Sequence, residues 1–188
     1  MISLKFIQEC NDLRASEGVA ALDVSAQLML EASLAANYNR LVEFEHPKAF
    51  YNFQNIAAGY TDPFDGWYTE EKEIFESGGD GDTGHYRNII DPELDLTGFG
   101  TTQGGEYRVY YAQDFRADWQ SVTSPTMTVS NAISKLSSYQ SSLSSRIASA
   151  KTALSTAQSE YNTALLNATK VTLSKTSVSL VKGNSATI

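Results

Sequence analysis

The sequence of 188 residues predicts an α+β fold. Three observations carry that reading. Helical apolar spacing fills the first forty-odd residues, and two strand-like runs flank Gly104-Gly105. No regular alternation of strands and helices joins them, which excludes a doubly wound parallel sheet. Hydrophobic residues make up 41% and charged residues 19%, the balance of a globular chain and not of a disordered one. No run approaches the ~18 apolar residues of a membrane span.

Ile2, Phe6, Cys10 and Leu13 form one helical stripe, and Gly18 ends it. Cys10 lies on that stripe and reads as a buried small hydrophobe. Ser25 suits the N-cap of a second helix, whose apolar face is Leu28, Ala32, Ala35, Ala36, Tyr38 and Leu41 and which fades near Glu43–His46. Asn55–Tyr60 is short, apolar and Gly-containing, the pattern of a buried strand. Asp62-Pro63 opens a third helix, with proline near its first position and Phe64, Trp67, Tyr68, Glu71 and Phe75 setting its spacing. Trp67 and Tyr68 read as core, and Glu70–Glu73 as an exposed helix face. The Gly/Asp-rich stretch 77–84 is a loop, and its Asp80-Gly-Asp82 lacks the full ligand run of a calcium loop. Residues 86–90 read as a short helix. The runs 98–103 and 106–115 around Gly104-Gly105 read as a hairpin.

Charge divides the chain. Residues 1–120 hold eight basic and twenty-one acidic side chains, whereas residues 121–188 hold six basic ones and a single acid, Glu160. Ser and Thr crowd the second part and both tryptophans lie in the first, so a boundary is expected near residues 121–125. The acidic first part has no basic stripe, which argues against nucleic acid as a partner. One cysteine excludes an internal disulfide framework.

In the second part Val129, Ile133, Leu136, Gln140, Leu143, Ile147, Ala150, Leu154, Ala157, Tyr161 and Ala164 alternate in steps of four and three. That is a heptad seam, and it predicts a helix or stalk over 121–169. Such a helix cannot bury its own stripe, so a homodimer through residues 128–168 is one expectation. Beyond Asn167 the pattern turns to β, with Val171, Leu173, Val178 and Leu180. Residues 170–188 resemble the start of a bacterial immunoglobulin-like domain of the group 2 type. The resemblance implies that the chain is a piece of a longer exported protein, although Met1–Lys5 carries no leader pattern.

Two histidines, His46 and His85, stand in the acidic part. If they converge near carboxylates, they are candidate metal ligands or acid–base groups. No Gly-x-Ser-x-Gly elbow or phosphate-binding loop accompanies them.

Asn11-Asp-Leu-Arg14 with Gly18 and Leu22, Gln54–Gly59, Trp67-Tyr-Thr-Glu70, Gly84–Ile89 and Tyr110–Phe115 occur in this order. Together they resemble the CAP superfamily of cysteine-rich secretory proteins, antigen 5 and pathogenesis-related 1 proteins, in its bacterial, disulfide-free form. The resemblance implies a three-layer α-β-α sandwich over 1–120 with a cleft faced by two His and two Glu. Carried over by position, the cleft residues are His46, Gln54, Glu70 and His85. Gln54 stands where the family has a carboxylate, so a two-carboxylate acid–base mechanism has lost one member. His46 and His85 remain able to bind a divalent metal such as zinc, with Glu70 orienting one of them.

The leading expectation is a non-enzymatic binding module at the bacterial cell surface or outside the cell, holding a metal and a small ligand such as a lipid or glycan. One alternative is a metal-dependent hydrolase of peptide or cell-wall substrates with Glu70 as general base. The other is a structural or adhesive protein assembled through its helix.

Overall fold

The computed structural model describes residues 1–50, 53–117, 120, 122–123 and 125–172, with side chains to residue 168. The chain divides into two compact units, Met1–Ser137 and Ser138–Ile188. The first unit is a mixed α+β layer structure built on a five-stranded sheet.

Helix α1 spans Ile2–Ser16. Its buried positions are Leu4, Ile7, Cys10, Asn11 and Arg14, while Ile2 is exposed. The stripe is therefore rotated from the one expected, because two polar side chains are buried with the apolar ones. Asn11 pairs with the backbone of Leu22 in both directions, at 2.8 and 3.0 Å. Arg14 donates to the carbonyls of Ala20, Ile89, Asp91 and Leu94 at 2.7–3.0 Å. Gly18 ends the helix at φ +75°, and the Val19 N–H closes back on the Arg14 carbonyl.

Strand β1 (Asp23–Ser25) leads into α2 (Ala26–Leu41), where Ser25 accepts from the Leu28 N–H as the N-cap. Strand β2 covers Phe53–Ala58. The expected third helix has two parts, a π-helical turn over Asp65–Glu70 and then α3 over Glu71–Ser77. Helix α4 covers Gly84–Ile90, and β3 (Leu96–Gln103) and β4 (Val109–Arg116) form the hairpin. Its turn is five residues long and not two. Gly104, Gly105 and Arg108 all take positive φ there.

The strand order is β2-β4-β3-β1-β5, with β5 at Thr126–Met127. Only β1 and β3 run parallel. Helix α2 lies on one face, where Ala32, Ala35, Ala36 and Ala112 are buried with Ile56 against them. The small side chains reflect how close the backbones come. A Cβ on Gly98 would lie 2.0 Å from the Leu28 carbonyl carbon, and one on Gly100 2.3 Å from that of Ala32. The opposite face carries the main core, with Ile7, Cys10, Trp67, Ile89, Phe99, Tyr111 and Phe115. Cys10 is fully buried, and burial pushes its thiol up to about 12.

Helix α5 covers Val129–Thr172, 44 residues in all. Val129 is buried in the core of the first unit, and Ile133 and Leu136 pack against it. Strand β5 and the first turns of α5 thus belong to that unit. Of the segment expected to begin an immunoglobulin-like domain, 170–188, residues 170–172 belong to helix α5 and not to a strand, and 173–188 lie outside the described residues.

Candidate functional site

β2 is the outermost strand of the sheet, and its side chains alternate between the two faces. Asn55 and Ala57 are buried on the side of the main core. Gln54 shares the other face with Ile56. Gln54 and Asn55 each hydrogen-bond to one of the two histidines, so two histidine-centred groups assemble at this edge strand.

His46 lies in the segment after α2, and its Nδ1 is 3.0 Å from Oε1 of Gln54. Gln54 stands opposite Asp114 in the ladder, and its Nε2 donates to the Asp114 carboxylate at 2.7 Å. Asp114 is fully buried. A carboxylate only accepts, so it fixes the Gln54 amide with nitrogen towards Asp114 and oxygen towards His46. That oxygen requires a proton on His46 Nδ1, which leaves Nε2 as the free lone pair. The carboxylate missing at position 54 is thus present at position 114, one hydrogen bond further from the imidazole.

His85 occupies the first turn of α4. Its backbone carbonyl accepts from Asn55 Nδ2 at 3.1 Å, and Asn88 donates to Asn55 Oδ1 at 2.8 Å. Its ring lies 6.1 Å from that of Trp67. Nδ1 pairs with Oε1 of Glu71, and the second oxygen of Glu71 accepts from the Tyr86 N–H at 3.0 Å. Thr83, the N-cap of α4, makes no side-chain cap bond, so Glu71 satisfies an open N–H of that short helix from outside. One carboxylate thereby caps α4 and orients His85.

Glu70, the residue selected by motif, is exposed, and Glu71, expected on an exposed face, is buried. The π-helical turn accounts for both. Its i→i+5 bonding places more than four residues in a turn, so the fourth residue after Trp67, and not the third, returns to the tryptophan side. Nothing in the composition marks a π turn. The adjacent pair Glu70-Glu71 and the lone acid of the apolar run Val109–Phe115 are the signals available for Glu71 and Asp114.

A cleft of about 440 Å³ runs along the β2 edge. Phe44, Tyr60, Trp67 and Tyr107 give it aromatic walls, and Glu70, Glu71, Asp82 and His85 supply its polar groups. His46 and Gln54 do not line it. The structure therefore brings Glu70 and His85 to one cleft and pairs His46 with Gln54 beside it. Among the described residues, no three His, Cys, Asp or Glu side chains gather into a group able to hold a metal. What the two imidazoles offer is a matched chemistry. Each has Nδ1 against an oxygen acceptor and an Nε2 atom with no partner among the described residues, the orientation that metal-binding histidines take.

The profile of the cysteine-rich secretory protein family, CAP, matches residues 7–115. No curated protein sequence matches. Among solved structures, Schistosoma mansoni venom allergen-like protein 4 is 15% identical with a TM-score of 0.47, over 67% of this chain and 87% of that one. The protein MpPR-1i is 16% identical with a TM-score of 0.45, over 59% of this chain and 87% of that one. A cysteine-rich secretory protein from Staphylococcus aureus is 19% identical with a TM-score of 0.39, over 59% of this chain and 37% of that one.

Proposed function

The chain belongs to the cysteine-rich secretory protein (CAP) family, and we propose that it is a non-enzymatic binding module that works outside a bacterial cell, with the β2-edge cleft as its binding site. The observation that carries this reading is the cleft lining. Exposed aromatic faces of Phe44, Tyr60 and Tyr107 stand beside three carboxylates and an imidazole, with no Ser, Thr or Cys nucleophile among the lining residues. Aromatic faces with adjacent hydrogen-bond acceptors suit a polyhydroxylated ligand. They do not suit an acyl chain, which would desolvate the carboxylates without compensation. The lining therefore favours a glycan over a lipid. No helix among the described residues is long and apolar enough to cross a membrane.

A zinc ion is proposed at the Nε2 atoms of His46 and His85, with water as the remaining ligands. Bound there, it would supply a cation against which a ligand oxygen can be held. His85 would be oriented by Glu71 and His46 by Gln54 and Asp114. Calorimetric zinc titration of the intact chain is expected to show saturable one-to-one binding, abolished by His46→Ala and by His85→Ala. Titration with an N-acetylglucosamine tetramer is expected to saturate, and Tyr107→Ala or Glu70→Gln should weaken it at least about tenfold. The absence of saturable glycan binding up to millimolar concentration would overturn the ligand assignment.

The His85–Glu71 pair favours one second reading. A carboxylate-oriented imidazole at a cleft is a competent general base, and Glu70 is a second acid within the same lining. A hydrolase reading predicts turnover of peptide or peptidoglycan substrates that Glu71→Gln abolishes. No turnover across such a panel excludes it.

A further inference from the structure

The second unit, Ser138–Ile188, is helical as far as it is described, and every described side chain in it is exposed. Its seam alternates in size. One set of core positions holds Gln140 and then Ile147, Leu154 and Tyr161, the last three exposed by 47, 71 and 62%. The other set holds Leu143, Ala150, Ala157 and Ala164, with Leu143 54% exposed. A Ser/Thr-rich helix has a low intrinsic helix propensity, and a bare apolar stripe adds nothing until it is covered.

We propose that a second copy of this chain covers the stripe as an antiparallel coiled coil, in the register that sets Leu154 of one copy against Ala150 of the other. Independently of the cleft reading, two features select this partner and direction. The first is size. In an antiparallel pair the two sets of core positions face each other. Leu154 then meets Ala150, Ile147 meets Ala157 and Tyr161 meets Leu143, so large side chains are set mainly against small ones. A parallel pair stacks Leu154 on Leu154 and alanine on alanine, leaving alternately crowded and empty layers. The second is charge. Arg146 and Glu160 both flank the seam immediately before a large core residue. In the antiparallel register Arg146 of each copy faces Glu160 of the other, giving two opposite-charge contacts. Lys151 meets its own counterpart on the other flank, the only like-charge contact. In a parallel pair Arg146 faces Lys151 twice and Glu160 faces no basic residue.

The test uses the intact chain. Sedimentation equilibrium should show a monomer–dimer equilibrium. Arg146→Glu should weaken the dimer at least about tenfold, and Arg146→Glu with Glu160→Arg should restore it. Cysteine pairs read the direction. Residues 143 and 161 of one helix are about 27 Å apart at 1.5 Å per residue, so a disulfide between them joins two copies. The Leu143→Cys, Tyr161→Cys double variant should cross-link, and Leu143→Cys alone should not. Buried Cys10 does not compete. A monomer up to about 100 µM overturns the proposal, and so does efficient cross-linking of Leu143→Cys alone, which is the mark of a parallel pair.

Discussion

Arg14 and Glu9 lie on the same helix and show opposite outcomes of burying charge. Arg14 is fully buried, and four carbonyls receive its guanidinium. Arg14→Ala would leave those acceptors without a donor, at a cost of about 3–5 kcal/mol. Arg14→Lys should recover little, because an ammonium cannot fork to several separated carbonyls. Urea unfolding measures both. Glu9 is half-buried, and its carboxyl is pushed up to about 7, chiefly by burial and then by its hydrogen bond to Asp62, with the charges of Asp62, Asp65 and Asp12 adding to this. The folded state therefore holds this proton more tightly than the unfolded chain. Below pH 4.5 both states are protonated and the proton's contribution is complete. It is lost as pH rises from about 4.5 to about 7. With allowance for solvent screening of a half-exposed group, the loss is about 1–2 kcal/mol. Glu9→Gln should flatten that part of the stability–pH curve. The two residues were unequally legible in the sequence. Arg14 stood in a recognisable motif, although only the fold reveals its four carbonyls. Glu9 carried no signal, because Asp62 and Asp65, its neighbours beyond Asp12, come from a segment fifty residues away.

At the scale of elements, the hairpin, the capped second helix and the closing Gly18 followed directly from local patterns. The π-helical turn did not. Its effect is to exchange Glu70 for Glu71 as the partner of His85, a change of one position that no apolar periodicity records. Glu71→Gln should therefore loosen α4 as well as the imidazole, lowering stability by about 1–2 kcal/mol. Glu70→Gln, at an exposed side chain, should leave stability within about 0.5 kcal/mol. Thermal unfolding of the pair distinguishes the two assignments. The packing of α2 on β3 yields a sharper test. Gly98→Ala and Gly100→Ala each place a methyl group within 2.3 Å of the α2 backbone or closer, so the backbone of the helix or of the central strand must shift. Each should destabilise the fold by at least about 3 kcal/mol.

For the whole molecule, composition indicated an acidic aromatic part and a Ser/Thr-rich part, and the chain divides into two units, Met1–Ser137 and Ser138–Ile188. The shift in composition near residue 121 is not where the first unit stops, since that unit runs to Ser137. Strand β5 pairs with β1, and Val129 enters the core. Truncation after Ser137 should therefore leave the melting temperature nearly unchanged, whereas truncation after Gln120 should lower it by roughly 10 °C or more. Composition registers the polar surface of α5 and not the four apolar residues, Val129, Ala132, Ile133 and Leu136, that anchor its first turns. The cleft was legible only as a set of motif positions. The His46–Gln54–Asp114 group depends on the β2–β4 register and the His85–Glu71 pair on the π-helical turn, neither of which a motif records. The account rests on both imidazoles carrying their proton on Nδ1 and presenting Nε2. Long-range 15N–1H correlation spectroscopy of the intact chain at pH 8, where an ordinary imidazole is neutral, reads this directly. The predicted spectrum has both rings in the Nδ1–H form, with the His46 signature disturbed by Asp114→Asn and that of His85 by Glu71→Gln. An Nε2–H form at either ring would contradict it.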